Sequence, residues 1–461
     1  MIKKSIGLGC LLALSSVVFG QKQGELTKAD IQEIRGSYKK DSYTKAMENA
    51  LSNNDVKSIA YNRENAGKFD HYFKYKVDVN GITDQESSGR CWLFTSLNVF
   101  RPKVMDAYKT SSFEFSQVYL SFWDLFEKSN LFLNNIIETS KQPITDREVR
   151  WYFDEVIGDG GVWNLFVNVA GKYGAVPKSV MPETHSSNNT RWMNKLLVRK
   201  LREDGIRLRQ AAEQGAKKKE LYAKKKEMMK AVYRMLCLNL GEPVKEFEWR
   251  FKKKDGSLSE LKRYTPQSFY DEVIGKESLN DYVMIMNDPT RPYYKLYEIR
   301  NYRNTEEGVN WKYVNLPNDV IKQFAVESIK DNQAMYASCD VGKQIDSKHG
   351  ILDTDNYDYN AVYGVDFGMN KKERIYTRDS GSSHAMTLVA VDVDKNGKST
   401  KWQFENSWGA KSGHKGYLTF SDDWFDNYMF RVVIKKKYLD QKSLDVLKKK
   451  PVVLPPWDFM Y

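Results

Sequence analysis

Cys91 follows a polar turn, Asp84 to Arg90, and opens a segment in which Leu93, Phe94, Leu97 and Phe100 recur at helical spacing. That spacing places a thiol at a helix N-terminus, where the partial positive charge of the helix favours thiolate. A thiolate that attacks a carbonyl also needs a base, a group that orients the base and donors for the oxyanion. Of the five histidines, His384 lies just before an alternating segment at 386–393, and the next such segment, 401–408, carries Trp402, Phe404, Asn406 and Trp408 on one face. A hairpin turning at 394–397 brings His384 and Asn406 within a rung or two of each other. Asn406 then orients the imidazole, and Trp408 shields that hydrogen bond from water. Gln85, six residues before Cys91, supplies an amide NH2 that meets the oxyanion together with the Cys91 N–H. The chemistry is acyl transfer. Cys91 attacks a peptide carbonyl, His384 protonates the leaving amine, and water activated by His384 releases the acyl group.

The remaining histidines, His71, His185, His349 and His414, read as surface or structural residues, and no spacing among them and the acids suggests a metal site. No cofactor is expected. Lys3 and Lys4 precede an apolar stretch at 6–19, with small residues before Gln21, the pattern of a signal peptide cleaved near Gly20. Its removal takes the formal charge from +12 to +10 and leaves Cys91, Cys237 and Cys339. Three cysteines do not make a disulfide framework, and Cys237 and Cys339 read as buried small hydrophobes. Hydrophobic residues at 41% are too many for a disordered chain, and past residue 20 no run approaches the roughly 20 apolar residues of a membrane helix.

Several elements must position these groups. Helical spacing appears at 29–34 and 46–51 in the polar N-terminal lead, then at 116–132, 146–156 and 162–173, the last reached through Gly158-Asp159-Gly160-Gly161. Alternation at 77–83 predicts a strand before Gln85. Residues 190–233 are helical and strongly basic, with Gly205 and Gly215 as expected breaks. Strands at 386–393, 401–408 and 416–420 close an α+β architecture. The segment from Pro451 to Tyr461 is too apolar for a free tail and too proline-rich for a helix, so it is expected to dock.

Gln85-Glu86-Ser87-Ser88-Gly89-Arg90-Cys91-Trp92 resembles the nucleophile motif of the papain family, and His384-Ala385 and Asn406-Ser407-Trp408-Gly409 resemble its other two motifs, in the same chain order. Ser88 to Trp92, Phe115 to Leu120, Asp159 to Trp163, Ser338 to Lys343 and Gly413 to Tyr417 are similar to the bleomycin hydrolase and aminopeptidase C branch, over a span from about Tyr72 to Tyr461. The resemblance implies a papain-like two-subdomain core, one subdomain helical and one antiparallel β, with a helical insertion. The implied boundaries are a leader at 1–20, a lead at 21–70, a helical subdomain at 71–189, a basic insertion at 190–280, a β subdomain at 281–440 and a C-terminal arm at 441–461. It further implies aminopeptidase action on peptide substrates, pairing of the substrate with Gly160 and Gly161, a terminal carboxylate at Tyr461 that meets the substrate amine, and a ring-shaped homohexamer. Two departures stand out. Family members continue a few residues past Met460, so the arm ending at Tyr461 leaves dipeptidyl or endopeptidase cleavage open. The leader implies a secreted or periplasmic protein in a mostly cytosolic family. The lysine runs at 217–219 and 224–226 keep a different class of function open: a basic ring that binds nucleic acid weakly, with incidental peptidase activity.

Overall fold

The computed structural model describes residues 23–275 and 279–460. The expected leader at 1–20 and Tyr461 lie outside the described residues. The architecture is α+β, with one large sheet between a helical layer and a second, smaller core. Reading across the sheet, the strands are Val452–Leu454, Lys295–Ile299, Trp311–Asn315, Tyr282–Met286, Met429–Lys435, Met335–Cys339, His384–Val393, Ser399–Glu405, Tyr417–Ser421, Ile351–Leu352 and Ile345–Asp346. Three of these neighbours pair parallel and the rest antiparallel.

The central strands are buried on both faces. In Met335–Cys339, Tyr336 faces the helical core while Met335, Ala337 and Cys339 face the other, the alternation that a pleated strand imposes. Helix Cys91–Ala107 packs on the first face against strand His384–Val393, and helix Asn318–Lys330 covers the second. The meeting of helix and sheet is fastened by a buried ion pair. Arg101 donates to the Glu405 carboxylate at 2.7 Å and to the Gly81 carbonyl at 2.8 Å, and both charged side chains are almost fully excluded from solvent. Burial raises the Glu405 carboxyl to about 7 against the opposing pull of Arg101.

Three sequence expectations need correction. The strand expected at 77–83 does not form; Tyr75–Lys76 pairs with His384–Val393 instead. Past Val77 the chain leaves the sheet, turns at Gly81 with φ of 85°, and gives the Gly81 carbonyl to Arg101. Gly205 does not break a helix either, because Arg191–Glu213 runs straight through it. A Cβ there would come within 3.2 Å of the Phe132 ring and 3.1 Å of the Phe153 ring, so the glycine serves close helix packing. The break lies at Gly215, with φ of 92°, before helix Lys218–Leu240. Finally, the sheet is not purely antiparallel, because the Val452–Leu454 and Trp311–Asn315 strands each join it alongside a parallel partner.

The expected docking of the C-terminal segment is seen. After Val452–Leu454 joins the sheet edge, Arg291 binds the Asp458 carboxylate at 3.0 and 3.1 Å, Arg147 lies 4.3 Å from the Trp457 ring centre, and Arg431 donates to the Met460 carbonyl at 3.0 Å.

Glu405→Ala strands the buried Arg101 charge and is expected to lower unfolding stability by about 3–5 kcal/mol in urea titration, whereas Arg101→Met with Glu405→Leu is expected to cost much less. Equal losses in the two variants would show that the charge pairing does not carry the interface.

Candidate active site

Cys91 is the first residue of helix Cys91–Ala107, whose preceding residue Arg90 makes no side-chain cap. The first-turn N–H groups therefore remain available at this end. Those of Cys91 and Trp92 reach the sulfur, and so does the N–H of Ala385, the residue after His384. The sulfur thus sits against the start of strand His384–Val393, as the sequence reading requires.

The hairpin also forms, with Asp394 donating to the Lys398 carbonyl across the turn and Thr387 opposite Glu405. His384 Nε2 lies 2.8 Å from Asn406 Oδ1. Asn406 Oδ1 also accepts from the Ser407 backbone N–H at 2.8 Å, which fixes that atom as the carbonyl oxygen. His384 Nε2 must then be the donor, leaving Nδ1 with a free lone pair on the other edge of the ring. Trp408 stacks on the imidazole with ring centres 4.7 Å apart. Gly409 follows with φ of 72°, and a Cβ there would stand 2.5 Å from the Asp84 carboxylate, so only glycine lets the Trp408 loop close on the turn before Cys91.

Gln85 is held from both ends. Its N–H donates to the Ser407 carbonyl at 2.9 Å, its side-chain oxygen accepts from the Ser407 hydroxyl at 2.7 Å, and its amide nitrogen donates to the Ser88 carbonyl at 2.6 Å. Gln85, Cys91, His384, Gly160 and Gly161 line one cavity of about 620 Å³. A Cβ on Gly161 would stand 2.7 Å from the Trp92 indole, whereas one on Gly160 would meet nothing within 4 Å. The glycine pair forms part of the cavity wall, open at Gly160 and with Gly161 fitted against the residue next to the thiol.

Other contributors to this wall carry no sequence signal of their own. Lys128 donates to the Gly158 and Gly160 carbonyls at 2.8 and 2.7 Å and pairs with Asp124 at 2.6 Å. Arg431 and Pro456 line the same cavity from the far strands and the C-terminal arm. Cys237 and Cys339 are free thiols; Cys339 pairs across the sheet with His384 but is fully buried in the second core. His71 and His414 stack with ring centres 3.8 Å apart, and His349 bonds Asp346 at 2.7 Å, so these three are structural. Among the described residues no cluster of His, Cys, Asp or Glu is arranged to hold a metal ion, and no helix is long and apolar enough to cross a membrane.

The electrostatics differ from the simple helix-dipole expectation. Burial pushes the Cys91 thiol up to about 11, against the Ala385 and Trp92 N–H groups that favour thiolate. Burial also lowers His384 to about 4, with the Asn406 hydrogen bond pulling the other way. Each charge alone is disfavoured in this site. Cys91 and His384 line the same cavity, where opposite charges on the two would favour one another.

A thiol at a helix N-terminus beside an oriented imidazole, in a cleft between a helical layer and a sheet, defines a cysteine peptidase of the papain type. The chain belongs to the Peptidase C1-like family, whose pattern matches residues 25–461. It is 38% identical to aminopeptidase G of Lactobacillus delbrueckii subsp. lactis, covering 94% of this chain and 99% of that one. It is 39% identical to human bleomycin hydrolase, covering 90% and 93%. The crystal structure of pepw from Lactobacillus rhamnosis superposes with a TM-score of 0.92 at 38% identity, covering 95% of this chain and 99% of that one.

The low pKa of His384 has a measurable sign. Between pH 6.5 and about 4 the unfolded chain binds a proton at this histidine and the folded chain does not, so its contribution to stability is present above 6.5 and is lost as pH falls. An NMR titration is expected to place the His384 ring midpoint near 4, and lower still in Asn406→Ala. A midpoint near 6.5 would contradict the burial argument.

Proposed function

We propose that this protein is a cysteine aminopeptidase in which Cys91 is the nucleophile, His384 the general acid and base, Asn406 the residue that orients it, and Gln85 with the Cys91 N–H the oxyanion donors. The observation that carries the chemistry is the chain of contacts just described. The Ala385 N–H meets the Cys91 sulfur, and the Asn406 carbonyl oxygen accepts from His384 Nε2. Nδ1 takes the thiol proton as sulfur attacks the carbonyl carbon, then passes it to the departing amine. A water, deprotonated in turn by Nδ1, cleaves the thioester and restores the thiol. Gln85 keeps its carbonyl end on Ser407 and gives one amide hydrogen to the Ser88 carbonyl, which leaves its second amide hydrogen to meet the oxyanion.

An extended peptide is expected to pair with the backbone of Gly161, because the Gly160 carbonyl already accepts from Lys128. Restriction to the free N-terminus is supported by the C-terminal arm. Pro456 lines the cleft, and Met460, buried in the helical core, is held through its carbonyl by Arg431, which lines the same cavity. An arm seated there shortens the cleft on the acyl side of the scissile bond. The related proteins named aminopeptidase and bleomycin hydrolase point the same way.

Cys91→Ala is expected to fold normally and to lose at least ~10³-fold in hydrolysis of aminoacyl substrates. An unblocked peptide is expected to be shortened from its N-terminus while its acetylated twin survives. Full activity of folded Cys91→Ala would refute the nucleophile, and equal cleavage of the acetylated peptide would refute the exopeptidase reading in favour of an endopeptidase of the same chemistry.

A further inference from the structure

The wall of the cleft and the turn that delivers Cys91 are joined at one side chain outside the reacting set. Asp159 Oδ2 accepts from the Gly89 backbone N–H at 2.8 Å and from the Thr190 hydroxyl at 2.5 Å. The Asp159 carbonyl accepts from the Trp92 indole N–H at 2.7 Å. One residue therefore grips the chain two positions before Cys91 and, through its own backbone, the side chain one position after it. The fit leaves no slack, since a Cβ on Gly89 would stand 2.6 Å from Asp159 Oδ1.

Thr190 brings in the helical insertion. It occupies the N-cap of helix Arg191–Glu213, where a threonine hydroxyl ordinarily accepts from a first-turn N–H. It makes no such capping bond here, since its backbone is already helical, with φ of −74° and ψ of −13°, and its hydroxyl proton goes to Asp159. The chain leading into that helix makes two more ties to the same turn. The Ser87 N–H donates to the Asn188 carbonyl at 2.9 Å, and Arg90 pairs with both oxygens of Glu183 at 2.8 and 3.1 Å. These two ties end within four residues of Cys91, on its N-terminal side, and the Thr190 bond reaches the same turn through Asp159 and Gly89.

We infer that Asp159 is a positioning residue for Cys91, held in place by Thr190, and that the start of the helical insertion sets where the nucleophile stands against the Gly160–Gly161 wall. This rests on the reading of Cys91 as the nucleophile. Thr190 is buried and its hydroxyl donates to the same carboxylate oxygen that accepts from the Gly89 N–H, so the contact fixes that oxygen against the turn before Cys91. Asp159 also places a negative charge near the thiol, which raises its pKa, so its presence is not explained by thiolate stabilisation. Geometry is what it supplies.

The test uses the full chain and four variants: Thr190→Val, Thr190→Ser, Asp159→Ala and Asp159→Asn. Three quantities are read: the rate of Cys91 alkylation by iodoacetamide, kcat per alkylatable site with KM, and the melting temperature. Thr190→Val and Asp159→Ala are expected to lower kcat per site by ~10- to 100-fold with KM within ~3-fold, as misplacement of a reacting group does, and to change the alkylation rate. Thr190→Ser, which keeps the hydroxyl, and Asp159→Asn, which keeps an acceptor oxygen without the charge, are expected to stay within ~3-fold of the parent protein. Should Asp159→Ala not fold, Thr190→Val decides, because it exchanges one hydroxyl for a methyl. Unchanged kcat and alkylation in a Thr190→Val protein that only melts earlier would overturn the inference. An altered alkylation rate in Thr190→Val, restored in Thr190→Ser, supports the positioning role even in a parent protein that cleaves no peptide. That last result would sink the aminopeptidase reading and not this one.

Discussion

The sulfur of Cys91 and the imidazole of His384 come from opposite sides of a single interface, and the protein is organised around holding that interface closed. One group rides on the first turn of a helix and the other on the first residue of a strand nearly three hundred residues away. Cys91 is part-buried at the cavity and His384 is buried, and this desolvation penalises either charge alone, raising the thiol and lowering the imidazole. A buried pair of this kind works only as a pair, so its geometry has to be supplied by everything around it.

The surrounding structure divides that task. Arg101 and Glu405 fasten the helix that begins at Cys91 to the strand that ends one residue before Asn406, so the same contact that stabilises the interface sets the height of Asn406. Ser407 holds Asn406 by its backbone N–H and Gln85 by its hydroxyl, tying the proposed orienting group to the proposed oxyanion donor. On the opposite wall, Lys128 props the carbonyls of Gly158 and Gly160, while Asp159 reaches across to the turn before the thiol. The Arg291–Asp458 pair and the Arg431 contact to Met460 bring the C-terminal arm to the same cleft.

The groups proposed to react were legible in the sequence as neighbours because each sits at a local landmark. Cys91 starts a helical stripe, His384 starts an alternating run, and Asn406 directly follows the return strand of a hairpin whose turn is marked by Asn396-Gly397. The supporting groups were not legible, because their partners are set by packing between distant segments. Nothing near Lys128 in the chain announces that it will reach Gly158, thirty residues on. Asp159 stood inside a quoted motif, but its side-chain role depends on Thr190 and Gly89 arriving together. The same cause explains the misread elements. Gly205 looked like a break because propensity weighs against glycine in a helix, yet two phenylalanine rings from other elements require its bare Cα. Residues 77–83 alternate like a strand, but the demand of Arg101 for the Gly81 carbonyl draws them off the sheet.

The most direct test of the central claim is to trap the acyl-enzyme. A slowly hydrolysed aminoacyl ester is mixed with the protein, the reaction is quenched in acid, and intact and peptide masses are recorded. The account requires one acyl group per chain, attached at Cys91, forming in the parent protein and accumulating when deacylation is slowed. An acyl group on another residue, or turnover with no acylated Cys91 at any time, would contradict it.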